Sequence, residues 1–304
     1  HTVEPDIKNV IVKNLLRLLV VAPKVLITRQ ETDTVYFPFR VWDYDLIRIG
    51  ATVAQEALIK HPPLVSIITR TYQGRELYLR QALLSAVHQT YPNIEHIVVE
   101  DGGDTMKTVV DNINEVTGCQ IRFIALPKSG RSTTGNAGLE AATGRWCLFL
   151  DDDDLLFTDH IETLANVLIA QTDNVVAAYT PAWEIVTDTD HLSQGQYTEE
   201  RFFVPETLFQ EFDFDVLTHH NYMAIQSVLF ERSLFEQRGG FEQDMDALED
   251  WLLWLKYAIG NRFQYVARVT SLYRTPAHPV ISAKRREVLN QAYNIAQDRL
   301  AGYL

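Results

Sequence analysis

From Leu64 onward one unit recurs in the chain: a short apolar run followed by a stretch with helical spacing. The runs are Leu64 to Ile68, Ile94 to Val99, Ile121 to Ala125 and Trp146 to Leu150, with a further strand expected over Asn174 to Thr180. Helical windows separate them at about Glu76 to Gln89, Thr105 to Val116 and Thr134 to Ala142. Strands joined through helices cannot close as hairpins. They pair in parallel, with helices covering both faces of the sheet. The expected class is therefore α/β, with a mostly parallel, Rossmann-like sheet.

The ends of the chain depart from this rhythm. Residues 1–63 read as a partly helical extension whose first helix, over about Asp6 to Val20, gathers Val10, Leu15, Leu18 and Leu19 near one face. His61-Pro62-Pro63 marks its boundary. That face is expected to dock on the main domain, on a partner or on a membrane surface. Residues 284–301 read as an amphipathic C-terminal helix with Val288, Leu289, Ala292, Ile295 and Leu300 on one side. Between Pro181 and Tyr222 the pattern fades and aromatic residues collect, as in a substrate-side subdomain or lid. The division expected is 1–63 as extension, 64–181 and 182–283 as two halves of the main domain, and 284–304 as terminal helix.

Composition excludes several function classes. With 304 residues, 46% of them hydrophobic, the chain can bury a full core without disulfide or metal staples. Its 27 Lys and Arg against 40 Asp and Glu give a net charge of -13, which repels a nucleic-acid backbone, so no nucleic-acid partner is expected. Cys119 and Cys147 are too few for a disulfide framework and fit a reducing compartment. The longest apolar run, Ile11 to Ala22, is broken by Lys13, Asn14 and Arg17 and is too short to span a bilayer. The expected place is the cytoplasm, at most peripheral to the inner face of a membrane. The chain opens on His1 rather than Met, which reads as one piece of a longer protein.

The sharpest chemical signal is Leu148-Phe149-Leu150-Asp151-Asp152-Asp153-Asp154-Leu155-Leu156. Four adjacent carboxylates at a strand end repel and desolvate one another. A hard divalent cation relieves that cost, and oxygen-only ligands favour Mg²⁺ or Mn²⁺. Carboxyl ends of strands are also where open α/β sheets bind ligands. The competing reading is a solvated acidic turn in which Asp154 or Asp159 caps the next helix. Glu100-Asp101-Gly102-Gly103 repeats the motif after the second strand, where glycines allow close backbone approach, although a plain turn looks similar. Thr69-Arg70-Thr71-Tyr72 ends the first strand with hydroxyls, a cation and an aromatic face suited to a nucleotide base. Glu249-Asp250 precedes the apolar helix Trp251 to Leu255, where acids also complement a helix N-terminus.

Taken in order, these blocks resemble the family 2 glycosyltransferases, inverting enzymes of the GT-A fold. The resemblance runs from Val65 to about Ser282. It also includes Ala86-Val87-His88-Gln89-Thr90-Tyr91-Pro92, Gly135-Asn136-Ala137-Gly138-Leu139 and Gly239-Gly240-Phe241. It implies a sugar moved from a nucleotide-diphosphate donor to a hydroxyl of a glycan or glycolipid acceptor, in polysaccharide or glycoconjugate assembly, with Mn²⁺ or Mg²⁺ as cofactor. It further implies donor contacts from Thr71, Tyr72, Asp101, Arg131, Asn136, Asp151 and Asp152. Metal ligation falls to Asp153, Asp151 and His278. Asp250 becomes the general base, and Glu249 holds the acceptor or supports that base.

Three positions depart from the family's pattern. Glu100 replaces the usual Asp, Arg70 the usual Pro, and Gly135 an Arg common before Asn136. The last change removes an expected diphosphate contact, for which Arg131 or Lys128 is the substitute expected. A sugar nucleotidyltransferase and a catalytically inactive nucleotide- or glycan-binding module of the same fold are the alternatives. A DxDx[TV] aspartyl phosphatase is excluded by Leu155, which follows the acidic run.

Overall fold

The computed structural model describes residues 62–303, apart from 171–173, 191, 193–195 and 246. The N-terminal extension expected over residues 1–63 lies, but for Pro62 and Pro63, outside the described residues.

The recurring unit folds as its spacing requires. β1 (Val65–Thr71), α1 (Glu76–Val87), β2 (Ile94–Asp101), α2 (Lys107–Thr117), β3 (Arg122–Leu126), α3 (Arg131–Ala141) and β4 (Trp146–Phe149) follow one another along the chain. β1 pairs in parallel with both β2 and β4, and β2 in parallel with β3. After β5 (Leu155–Leu156) come α4 (His160–Ala170), β6 (Val175–Tyr179), β7 (Trp183–Asp188), β8 (Thr198–Phe203), α5 (Phe214–His219) and β9 (Val228–Glu231). The chain ends with α6 (Ser233–Arg238), α7 (Glu249–Ala258), β10 (Arg262–Tyr265), β11 (Ser271–Pro276) and α8 (Pro279–Tyr303). The main sheet runs β10-β6-β9-β4-β1-β2-β3, and only β9 is antiparallel to its neighbours.

Successive strand residues point to opposite faces, and the core divides accordingly. Ile68, Val99 and Phe149 join the cluster built on α3 and α7, with Leu139, Trp251 and Trp254. Ile67 and Leu148 join the opposite cluster, with Ala82 of α1 and Leu164 of α4. Helix α3 comes unusually close to the sheet because position 138 has no side chain. A Cβ built on Gly138 would lie 2.3 Å from Ile68 Cγ2.

Two expectations need correction. The region after Pro181 is not irregular throughout: β7 and β8 pair there, and with β5 and β11 they form a second sheet ordered β5-β11-β7-β8. β7 alternates between buried and half-buried residues, and β8 (Thr-Glu-Glu-Arg-Phe-Phe) is exposed or half-buried throughout, so no apolar run marks them. The second correction concerns α8. It exists, but its apolar side is covered only in part: Leu300 is buried, Leu289 and Ala292 are half-buried, and Val288 and Ile295 are 41% and 47% exposed. The helix is held mainly by its C-terminal half, through Trp251 stacked on Tyr293 and Tyr303 donating to Glu242. Among the described residues no helix is long and apolar enough to cross a membrane.

Candidate active site

The parallel strands deliver β1, β2 and β4 to one edge with their carboxyl ends together. Thr71, Asp101 and the run Asp151 to Asp154 therefore meet there. β5 pairs with β11, which brings Arg274 past the acidic run, where its Nη1 donates to the carbonyl of Asp153 at 2.6 Å.

The acidic run is neutralised from within the chain. Arg70 makes a two-pronged contact with Asp151, Nε to Oδ1 and Nη2 to Oδ2, each at 2.7 Å. Arg75 donates to Asp152 Oδ1 at 3.0 and 2.8 Å and to Asp153 Oδ2 at 2.6 Å. Thr71 Oγ1 donates to Asp152 Oδ2 at 2.7 Å. The charge repulsion read from the sequence is thus relieved in large part by guanidinium groups. Burial favours the neutral form of Asp151, but Arg70 overrides it and holds that carboxyl below the usual range. At Asp152 burial wins over Arg75 and, with Asp153 beside it, pushes the carboxyl up to about 7. Asp154 is raised well above its ordinary value by burial and by its acidic neighbours.

The other expected residues divide into two groups. Tyr72 is 48% exposed at the rim, its ring lying 5.3 Å from Arg75 Cζ and 5.5 Å from Lys128 Nζ. Arg131 opens α3 and is 55% exposed, with Nη1 3.4 Å from Glu249 Oε1. Both offer surface to a ligand. Asp101, by contrast, has its oxygens engaged: Oδ2 accepts from Lys128 Nζ at 2.6 Å, and Oδ1 from the amides of Ser129 and Gly130 at 2.6 and 3.2 Å. These donors outweigh its burial and hold the carboxyl below its ordinary value. Asn136, expected among the donor contacts, uses both ends of its amide on the backbone of Phe241. Glu100 accepts from the Thr105 and Met106 amides and so closes the loop leading into α2.

Glu249 and Asp250 begin α7. Leu248 before them is in the left-handed region at φ 56°, which costs an L-residue about 1–2 kcal/mol. Glu249 is buried and accepts from Arg70 Nη1 at 3.2 Å as well as from Arg131. Asp250 is half-buried, with Oδ2 accepting from Asn221 Nδ2 at 3.2 Å and Oδ1 from the Trp251 amide at 2.8 Å. Burial, reinforced by the Glu249 charge, pushes Asp250 up to about 7, which suits a group that takes protons near neutrality.

For a divalent cation the donor set fits in one place. Asp153 is 36% exposed and only its Oδ2 is hydrogen-bonded, so a hard oxygen donor remains available at Oδ1. Asp151 has both oxygens committed to Arg70. His278 is exposed at the start of α8, where its Nδ1 accepts from the Val280 amide. Among the described residues no group of three or more His, Cys, Asp or Glu side chains is arranged to hold a metal ion, so Asp153, Asp151 and His278 do not form such a set.

Four residues of the site escaped the sequence reading as contributors. Arg70 is visible in the sequence as a cation at the end of the first strand and as a departure from a pattern, but not as the partner of Asp151 and Glu249. Arg75 and Arg274 reach the acidic run from 77 and 121 positions away, and Asn221 reaches Asp250 from 29. No local spacing links such pairs.

Comparison with known proteins agrees with this geometry. The model of the family "Glycosyl transferase family 2" matches residues 66–236, more than half of the chain. An "Uncharacterized glycosyltransferase" of Rickettsia prowazekii is 29% identical over 244 residues, 80% of this chain and 70% of that protein. Among solved structures, Staphylococcus aureus TarS 1-349 superposes with a TM-score of 0.56 at 18% identity, covering 69% of this chain and 60% of that one. The same protein in complex with UDP-GlcNAc gives 0.58 at 16% identity, over 79% and 70%. The mannosyltransferase PcManGT of Pyrobaculum calidifontis, in complex with GDP-Man and Mn²⁺, gives 0.50 at 20% identity, over 80% and 74%. At these identities the structural likeness shows the fold, a GT-A domain. The chain spans about three fifths of TarS 1-349.

Proposed function

The chain belongs to glycosyl transferase family 2 and is a nucleotide-sugar-dependent transferase; from that premise we propose an inverting, divalent-cation-assisted transfer onto a hydroxyl of a glycan or glycolipid. One observation carries the reading: the run at Asp151 and the pair at Glu249-Asp250 meet at one sheet edge, joined by a single guanidinium. Residues 64–181 form the donor half in this reading and residues 182–283 the acceptor half.

Tyr72 offers a ring face to the base, and Arg131 and Lys128 are the exposed cations for the diphosphate, with Lys128 leaving Asp101 in part to do so. Asp250 accepts the acceptor hydroxyl's proton, and Glu249, held by Arg70 and Arg131, keeps that carboxylate in register. A single attack on the anomeric carbon from the face opposite the leaving diphosphate inverts its configuration. A cation, when bound, would be held by Asp153 and would stabilise charge on the departing diphosphate. The UDP-GlcNAc and GDP-Man complexes of its structural neighbours support a nucleotide-sugar donor. Polysaccharide or glycoconjugate assembly is the setting we propose.

Thermal melting with UDP and GDP, each with and without Mn²⁺, tests the donor site on the wild type and on Asp153→Ala. At a hundredfold excess over Kd a ligand adds about 2.7 kcal/mol to stability. The expected result is a metal-dependent rise with one nucleotide that is lost in the variant. No rise with either nucleotide would remove the donor site from these residues.

A further inference from the structure

Arg70, the last residue but one of β1, is 6% exposed. A buried guanidinium persists only when its donors are matched by acceptors. Here Nε and Nη2 take both oxygens of Asp151, and Nη1 takes Glu249 Oε1. The rings of Phe241 and Phe149 pack against it, their centroids 5.3 and 5.7 Å from Cζ. Gly135 leaves room for this packing: a Cβ there would lie 2.5 Å from Phe241 Cε2 and 3.4 Å from Arg70 Cδ. A lysine, whose ammonium is a point charge, would not reproduce a fork on one carboxylate together with a third bond to another.

We propose that Arg70 is the positioning residue of the reaction centre, one rigid guanidinium that holds donor-side Asp151 and acceptor-side Glu249 in fixed relation and thereby sets the charge around Asp250. This rests on the reading of Asp250 as base. The logic is electrostatic. Glu249 and Asp250 are adjacent like charges, so each opposes ionisation of the other. Arg70 neutralises Glu249 directly and attracts the Asp250 charge as well. Among the described residues, Arg131 from α3 also contacts Glu249, and Asp151 shares the Arg70 guanidinium. Asn221, the side chain that touches Asp250, is neutral. On α5, packed against α7, His219 is occupied with Thr218 and the Asp215 carbonyl. α8 contributes Tyr293, which stacks on Trp251, and Arg238 of α6 bonds carbonyls at the far end of α7.

The experiment is a pH titration by NMR of the chain labelled with ¹³C-carboxyl aspartate, with the Asp250 signal assigned from its loss in Asp250→Asn. Removing the charge in Arg70→Met should move the Asp250 midpoint upward by about half a unit or more. Because Arg70→Met also strands a buried Asp151 charge, which opposes folding, Arg70→Met/Asp151→Asn is compared with Asp151→Asn alone, and the same upward shift is expected. A residue with a merely structural role would lower stability and leave the midpoint in place. An unmoved midpoint in either folded comparison overturns the proposal. The titration needs no turnover, so the two readings fail separately: retained transfer in Asp250→Asn defeats the base, and an unmoved midpoint with an inactive Asp250→Asn defeats Arg70 alone.

Discussion

At the scale of single residues, the proposed role of Asp250 as base sets function against stability. Its folded value is raised to about 7 from 3.8, first by burial and then by Glu249. The folded state therefore favours its neutral form: this group's contribution to stability is fully present below about pH 3.8 and is lost as pH rises through about 7. Catalysis needs the opposite form, so the transfer rate should rise with pH and level off above about 7. Asp250→Asn should lower turnover by about 10²- to 10⁴-fold. The same variant should melt at a higher temperature than wild type at pH 8, with the gain shrinking at pH 5. Rate measurements and melts at both pH values check this, and a variant that turns over normally ends the assignment. Residue types alone did not separate the roles here. Asp101 and Asn136 are engaged with neighbouring loops, whereas Tyr72 and Arg131 offer exposed surface.

At the scale of elements, the strand-to-helix contacts position the site, and Gly138 tests them. Alanine in a helix interior is favoured over glycine by about 1 kcal/mol. Against that gain, overpacking a filled core costs about 1–3 kcal/mol. The Cβ of Gly138→Ala would meet Ile68 Cγ2 at 2.3 Å and Val99 Cγ2 at 3.5 Å, and both belong to central strands. The steric term should win and the denaturation midpoint in guanidinium should fall. Gly302→Ala, with nothing within 4 Å, should show no such loss. An equal response of the two variants would show that the close approach of α3 carries no stability. The central strands were legible in the sequence because each carries a short apolar run, Ile67-Ile68 in β1, Ile97 to Val99 in β2 and Trp146 to Phe149 in β4. β7 and β8 were not, since a half-solvated sheet keeps its polar residues, and the partner on the other side of β7 is β11, far along the chain. On α8, periodicity identifies an apolar stripe but not how much of it is covered: Leu300 is buried, whereas Val288 and Ile295 are exposed.

At the scale of the whole molecule, buried titratable groups of opposite kinds oppose one another. His96 and His160 are held neutral by burial at about 3, below their ordinary 6.5. Their contribution is present above pH 6.5 and is lost progressively as pH falls from that value to about 3, a range in which only the unfolded chain binds the protons. Asp152 and Asp250 are raised to about 7, and Asp154 is raised as well, so these groups stabilise the fold as pH falls. Between about pH 6.5 and 4 these effects offset, and stability should not decline there. Below about pH 4 it should fall steeply, because Glu95, Asp101, Asp151 and Glu242 are all depressed and lose their partners on protonation. Denaturation midpoints measured from pH 8 to 3 check the shape. A steady decline from pH 7 to 5 would contradict the balance.

Neighbours along the chain are enough to fix the alternation of strands and helices from β1 to β4, their parallel pairing, the acidic run at a strand's carboxyl end and the acids opening α7. Those follow from local periodicity and from which residue types can be buried unpaired. Only the tertiary structure decided how the charges are matched. Arg70 reaches across 81 positions to Asp151 and across 179 to Glu249, and Arg274 across 121 to the Asp153 carbonyl. A buried charge is stabilised by whatever stands within a few ångströms of it, and chain folding, not sequence distance, sets that neighbourhood.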